Sequence, residues 1–237
     1  FQVAMSRLGG TTIDLNPNTS QINRGEPIKD TARVLSRYCD AIAIRTFHQK
    51  DIEEYAKWSS IPVINALTDF EHPCQALADF LTIKEEFGDF QDLVLSFIGD
   101  GNNVANSLIL IGSLLDVEIR IACPKGYEPN PQIIKKALAI YKDPNKLKIL
   151  NNLNIAVDGA NVLYTDVWSS MGEETQKDNK DRDFNGFTID EELIKHANKD
   201  AIILHCLPAY RGKEITDAAI EGSQSRVFDQ AENRMHA

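Results

Sequence analysis

Leu93-Val94-Leu95-Ser96-Phe97-Ile98-Gly99-Asp100-Gly101-Asn102-Asn103-Val104 sets six residues of strand character against a turn of glycine and asparagine. A short, nearly unbroken apolar run bounded by turn residues reads as a strand buried on both faces. Val104 to Leu115 has helical length, and Val117 to Cys123 is a second apolar run. Strand, tight turn, helix and strand make a β-α-β unit, whose strands must be parallel.

The alternation extends in both directions. Upstream, Phe1 to Leu8 has helical spacing and ends at Gly9-Gly10, and Thr11 to Leu15 is a strand candidate before a polar loop from Asn16 to Glu26. Asp30 to Tyr38 is helical, with Asp30 as its cap. Ala41 to Arg45 and Ile61 to Asn65 are strands on either side of a helix from Gln49 to Ser59. His72 to Phe87 is one long helix closed by Gly88, with Pro73 at its first position. Downstream, Pro131 to Tyr141 and Ile189 to Ala197 are helical, Val162 to Thr165 and Ala201 to Leu204 are strands, and Arg226 to Phe228 is a last short strand. Glu173 to Asp183, the densest charge cluster, reads as an exposed loop. The expected fold is α/β, with two doubly wound parallel-sheet lobes, 1–83 and 84–237, joined by the long helix. The chain opens inside an apolar pattern and stops at Ala237 without a closing element, so it is expected to be a segment of a longer protein with terminal elements missing.

Composition narrows the function. The 237 residues carry 25 basic and 35 acidic side chains, a net charge of -10. Such a chain has no electrostatic footprint for nucleic acid or an anionic membrane. No apolar run approaches the roughly 20 residues of a membrane span. Cys39, Cys74, Cys123 and Cys206 form no CxxC pair, which argues against structural zinc or a disulfide framework and for a reducing, cytoplasmic compartment. An anionic substrate must then be held by a few local arginines.

Ligands of open parallel sheets bind at the carboxyl ends of the strands. Arg45, the Asn65–His72 segment, Asn103, Asp166 and Cys206 all fall there. The Gly99 turn lacks the third glycine of a dinucleotide fingerprint, because Val stands at 104. It reads better as a tight turn aiming the Asn102 and Asn103 amides at a small ligand, though asparagine and glycine also suit plain turn chemistry. His72-Pro73-Cys74-Gln75 opens the long helix, whose free N–H groups favour a polarised or anionic group. The bland alternative is a helix cap with a buried histidine. Asp166 ends a strand and suits an amino group. Cys206 is a nucleophile, a base, a ligand contact or merely a buried thiol. Arg45 and Arg234 are the arginines best placed to grip phosphate in bidentate fashion.

Seven segments together resemble the aspartate/ornithine carbamoyltransferase family, in its order and across nearly the whole chain. They are Asp30 to Ser36, Arg45, His72 to Asp79, Gly99 to Asn103, Asp166 to Gly172, His205-Cys206-Leu207-Pro208 and Glu232-Asn233-Arg234. The resemblance implies transfer of a carbamoyl group from carbamoyl phosphate to an amine, with no metal or other cofactor. It implies carbamoyl-phosphate binding by Gln21, Arg45, His72, Gln75, Cys206, Leu207 and Arg234, with lobe 1–83 as that domain. Arg45 and His72 would take the carbonyl oxygen, and catalysis would rest on them and Cys206. Lobe 84–237 would hold the amine through Asn103, Asp166, Ser170 and Met171. The Asp166 to Gly172 segment resembles the ornithine type, whose product is L-citrulline, and Cys74 stands where aspartate-type members usually carry threonine. The resemblance further implies a role in arginine synthesis or breakdown and a homotrimer in which a neighbour's segment, containing Gln21, completes each site. The family's Ser-Thr-Arg-Thr-Arg phosphate loop is expected just upstream of Phe1. The rival readings are a carbamoyltransferase with another amine acceptor, a non-catalytic relative and a nicotinamide-dependent oxidoreductase.

Overall fold

The structure, a computed structural model, describes residues 1–16, 25–169 and 177–237. In the first lobe α1 (Gln2–Arg7) and α2 (Ile28–Leu35) precede β1 (Ile42–Arg45), α3 (Gln49–Trp58) and β2 (Val63–Leu67). β1 and β2 pair in parallel, with a shift in register between Ile44 and Arg45. α4 (Pro73–Phe87) leads to the second lobe, which opens with β3 (Val94–Ile98), α5 (Asn103–Leu115), β4 (Glu118–Ala122) and α6 (Pro131–Ile140). β5 (Leu147–Leu150), α7 (Leu153–Val157), β6 (Val162–Thr165) and α8 (Lys177–Asp183) follow. α9 (Glu191–Ile194), β7 (Ile202–His205), α10 (Asp217–Glu221) and α11 (Val227–His236) complete it. The expected α/β fold with parallel sheets is therefore present.

Five strands form one parallel sheet in the order β5-β4-β3-β6-β7. The chain runs outward from β3 to β5, then returns to the other side of β3 as β6 and β7. That reversal opens a crevice at the carboxyl ends of β3 and β6. Their register pairs Ile98 with Thr165, so Gly99 and Asp166 leave the sheet as neighbours.

Side-chain alternation explains the unbroken apolar runs. Leu95, Phe97, Ile119, Ile121, Tyr164 and Leu204 face a core shared with Ala76 and Phe80 of α4, Leu108 of α5 and Ile133 of α6. Ile98, Ala122, Leu163 and Ile203 face the opposite core, with Val157, Leu193 and Ile220. The central strands β3, β6 and β7 are buried on both sides, so residues on both of their faces are mostly apolar.

The Gly99 turn is shaped by close approach. A Cβ at Gly101 would stand 2.3 Å from the Pro129 nitrogen, too near for any side chain. Asn102 caps α5, its Oδ1 accepting from the N–H groups of Val104 and Ala105. Val104 is itself a buried core residue, which removes the dinucleotide reading of this turn.

Several expectations are corrected. Thr11 to Leu15 is exposed and forms no strand, and no strand among the described residues pairs with it. Pro27, not Asp30, caps α2, and Asp30 sits in its first turn, where a carboxylate still favours the positive helix end. Arg226 to Phe228 is not a strand. Val227 begins α11, which runs to His236. Ile189 lies outside α9 and bridges Ile215 instead. Within the charged Glu173–Asp183 segment, Lys177 to Asp183 is helical rather than loop.

Candidate active site

A cleft of about 520 Å³ lies where the carboxyl ends of β2, β3, β6 and β7 meet. Its lining divides by chemistry into a first wall of Arg45, His72 and Arg234 and a second of Asn103, Asp166, Cys206 and Leu207. These expected residues come from the ends of three strands, β1, β6 and β7, and from three helices, α4, α5 and α11, far apart in sequence.

The first wall is cationic. Arg45 ends β1, His72 precedes α4, and Arg234 lies in the last turn of α11. The His72 side chain makes no capping bond, and its backbone N–H donates to Ser107 Oγ at 2.8 Å. Burial, reinforced by the charges of Arg45 and Arg234, pushes the His72 ring down to about 4. The imidazole is therefore uncharged at neutral pH and acts as a neutral hydrogen-bonding group, like a donor of an oxyanion hole.

The second wall centres on Asp166, which follows β6. Its Oδ1 accepts from Val167 N at 2.7 Å and Cys206 Sγ at 2.9 Å, and its Oδ2 accepts from Asn102 Nδ2 at 2.7 Å. Burial and the adjacent carboxylate hold the Cys206 thiol well above its ordinary range. It stays protonated, which removes the nucleophile and base readings and leaves a donor that orients Asp166. Asn103 donates to the Thr68 carbonyl at 2.6 Å and so joins the two lobes.

The turn after β7 has its own support. Leu207 N donates to His205 Nδ1 at 2.9 Å, so the ring proton must sit on Nε2, which faces Glu214 Oε1 at 3.2 Å. Both groups are fully buried. They fix Leu207 in a left-handed conformation, φ 56°, that a branched residue does not adopt unaided. Asp166, His205 and Cys206 bring an oxygen, a nitrogen and a sulfur within 4.8 Å, close enough for a metal ion. A metal there would have to displace bonds that each of the three already makes.

Some expected residues are not brought to the cleft. Gln75 is buried behind it, donating to Asp79 Oδ1 at 2.8 Å. Gln21, Ser170 and Met171 lie outside the described residues. Sequence reasoning missed Thr68, whose Oγ1 accepts from Phe70 N and Glu71 N and shapes the entry to α4. A threonine two residues before a turn signals such a motif. Glu214 carried no local signal, since its partner His205 is nine residues away.

Residues 1–85 match the aspartate/ornithine carbamoyltransferase carbamoyl-P binding domain, and residues 91–237 match the Asp/Orn binding domain of the same family. An ornithine carbamoyltransferase of Prochlorococcus marinus subsp. pastoris is 76% identical over 236 residues, covering 100% of this chain and 77% of that protein. One from Nostoc punctiforme is 56% identical over 237 residues, covering 100% and 78%. The solved ornithine carbamoyltransferase from Pyrococcus furiosus is 47% identical with a TM-score of 0.94, covering 99% of this chain and 75% of that one. An anabolic ornithine carbamoyltransferase from Campylobacter jejuni is 41% identical with a TM-score of 0.92, covering 99% and 78%. With both domain models matched in order and relatives this similar along its whole length, the chain belongs to the aspartate/ornithine carbamoyltransferase family.

Proposed function

We infer that the protein is a transferase that moves the carbamoyl group of carbamoyl phosphate to the side-chain amine of L-ornithine, giving L-citrulline and phosphate. The observation that carries this reading is one cleft lined both by Arg45, His72 and Arg234 and by Asp166, Cys206 and Asn103. The relatives' names supply the ornithine acceptor.

On this reading the phosphate lies against the arginines, with Gln75 and Leu207 helping to hold the carbamoyl group. Arg45 and the neutral His72 hydrogen-bond its carbonyl oxygen. Asp166 takes the α-amino group of ornithine, with Asn103, Ser170 and Met171 around the rest of the molecule. The unprotonated side-chain amine attacks the carbonyl carbon. A C–N bond forms, and the carbonyl electron pair moves onto the oxygen. As the pair returns, the C–O bond to phosphate breaks and phosphate leaves, taking up the proton the amine loses. Cys206 holds Asp166 in place beside the amine. Positioning two substrates side by side supplies much of the acceleration.

The domain boundary proposed is 1–83 for carbamoyl phosphate and 84–237 for ornithine, which falls within α4. Also proposed are a homotrimer in which Gln21 reaches a neighbour's site, a cytoplasmic setting and a place in arginine metabolism. Among the described residues no helix is long and apolar enough to cross a membrane.

The test offers ornithine, aspartate, N-acetylornithine and putrescine in parallel to the intact gene product with carbamoyl phosphate. Turnover with ornithine alone is expected. Turnover with another acceptor keeps the family and overturns the ornithine assignment, and none from a folded protein overturns the transfer itself.

A further inference from the structure

The segment between β2 and α4 carries Thr68, Asp69 and His72 of the cleft lining. Its backbone donors are satisfied in two different ways. Thr68 Oγ1 accepts from Phe70 N at 3.3 Å and from Glu71 N at 3.1 Å. The N–H of His72 lies beyond that reach, and a half-buried donor needs an acceptor. It finds Ser107 Oγ at 2.8 Å, on α5 of the second lobe. Ser107 is itself buried.

Two more bonds join the same elements. Asn103 Nδ2 donates to the Thr68 carbonyl at 2.6 Å, and Asn106 Nδ2 donates to the Phe70 carbonyl at 3.0 Å. Asn106 Oδ1 accepts from Asn130 N at 3.3 Å, so this amide has its donor end fixed toward Phe70. Residues 103, 106 and 107 lie on one face of α5. That face therefore grips the backbone of the segment at 68, 70 and 72, whatever side chains the segment carries. The same helix starts at its cap, Asn102, whose Nδ2 holds Asp166 Oδ2 at 2.7 Å. One rigid element thus touches Asp166 at its start and the His72 backbone just over a turn later.

The His72 ring has no comparable support. Its side chain makes no capping bond, and its Nδ1 is buried with no hydrogen-bond partner among the described residues. The backbone that carries the ring sets where it points.

We propose that Ser107 is a positioning residue, which holds the His72 backbone so that the ring meets the carbamoyl oxygen at a fixed distance from the amine bound at Asp166. This deepens the carbamoyl-transfer reading and rests on it. Charge on the carbonyl oxygen is greatest in the transition state, so a displaced His72 lowers kcat more than it weakens binding. Inorganic phosphate has no carbonyl group and does not use His72 in this way.

The experiment measures kcat and both KM values, and the Ki of inorganic phosphate against carbamoyl phosphate, in the intact gene product. Ser107→Ala is expected to lower kcat about tenfold or more, the scale on which catalysis responds to a small misplacement. Both KM values and the phosphate Ki are expected to stay within about threefold. In a His72→Ala background the effect of Ser107→Ala is expected to shrink below about twofold, because the double-mutant cycle isolates what passes between the two residues. A phosphate Ki that rises as far as kcat falls, an unchanged kcat in folded Ser107→Ala, or the same loss in both backgrounds overturns the proposal. If His72→Ala shows no measurable turnover, the phosphate comparison decides. If Ser107→Ala does not fold, Ser107→Cys, with its weaker sulfur acceptor, takes its place under the same outcomes. Inactive wild-type protein would overturn the carbamoyl-transfer reading and this inference with it, whereas the other failures leave that reading standing.

Discussion

At Cys206 the position of one proton decides the role. The thiol donates to Asp166 at 2.9 Å and stays protonated beside it. Cys206→Ala removes one of three bonds that aim the carboxylate. The ornithine KM should rise about tenfold, the value of one hydrogen bond to a charged group. The KM for carbamoyl phosphate should stay within about threefold if Cys206 acts through Asp166 alone. Equal losses for both substrates in steady-state kinetics would contradict that role. Asp79 and His72 shift in opposite senses. Burial raises Asp79 from 3.8 to about 7, outweighing its bonds from Gln75, Gln230 and Tyr164 and the charge of Arg234. The folded protein keeps a proton there that the unfolded chain loses. Its favourable contribution is full below the unfolded value and is lost as pH rises through about 7. His72, lowered from 6.5 to about 4, contributes above 6.5 and loses that contribution as pH falls toward 4. Asp79→Asn cannot ionise, so its Tm should decline less than the wild type's between about pH 5 and about pH 8. An identical decline would place the pH dependence on other groups.

The turn after β3 and the helix α8 hold the cleft in shape. At Gly101 the atoms that a Cβ would meet belong to the backbone of Glu128 and Pro129, which cannot swing aside as a side chain can. Gly101→Ala should therefore cost about 2 kcal/mol or more of stability, read from the denaturant midpoint. A change within error would mean that the 128–129 loop yields freely. α8 is tied to the same turn by Lys180, whose Nζ lies 2.6 Å from Asp100 Oδ2 with its side chain almost wholly buried. Lys180→Met removes the cation of a buried ion pair and should cost about 3 kcal/mol, with much of it recovered by adding Asp100→Asn. No recovery in the double variant would assign the loss to packing. The central helices and strands were legible because their buried faces are apolar at a fixed period. α11 was not, because Gln230 and Asn233 fill two of its three buried positions. They bond to Asp79, Thr82 and Glu85 of α4, so a polar interface stands where a periodicity argument looks for an apolar one. Thr11 to Leu15 failed in the opposite way, since strand propensity without a neighbouring strand does not make a strand.

At the scale of the molecule, function lies in what the fold brings together. Six of the seven matching segments reach the cleft, although they span Arg45 to Arg234. Arg45, His72, Asp166 and Cys206 were readable because each sits at a strand end or helix start. Ser107 and Glu214 were not, since their partners lie on other elements and only the tertiary structure pairs them. The account's central claim is that the Asp166 wall serves the amine and the opposite wall the phosphate. Its most direct test is citrulline formation by wild type and Asp166→Asn with each substrate varied in turn. The account predicts that ornithine KM rises about a hundredfold, the scale for losing a buried charge partner, while carbamoyl phosphate KM changes little. A variant that loses carbamoyl phosphate and keeps its ornithine KM would contradict the division of the cleft.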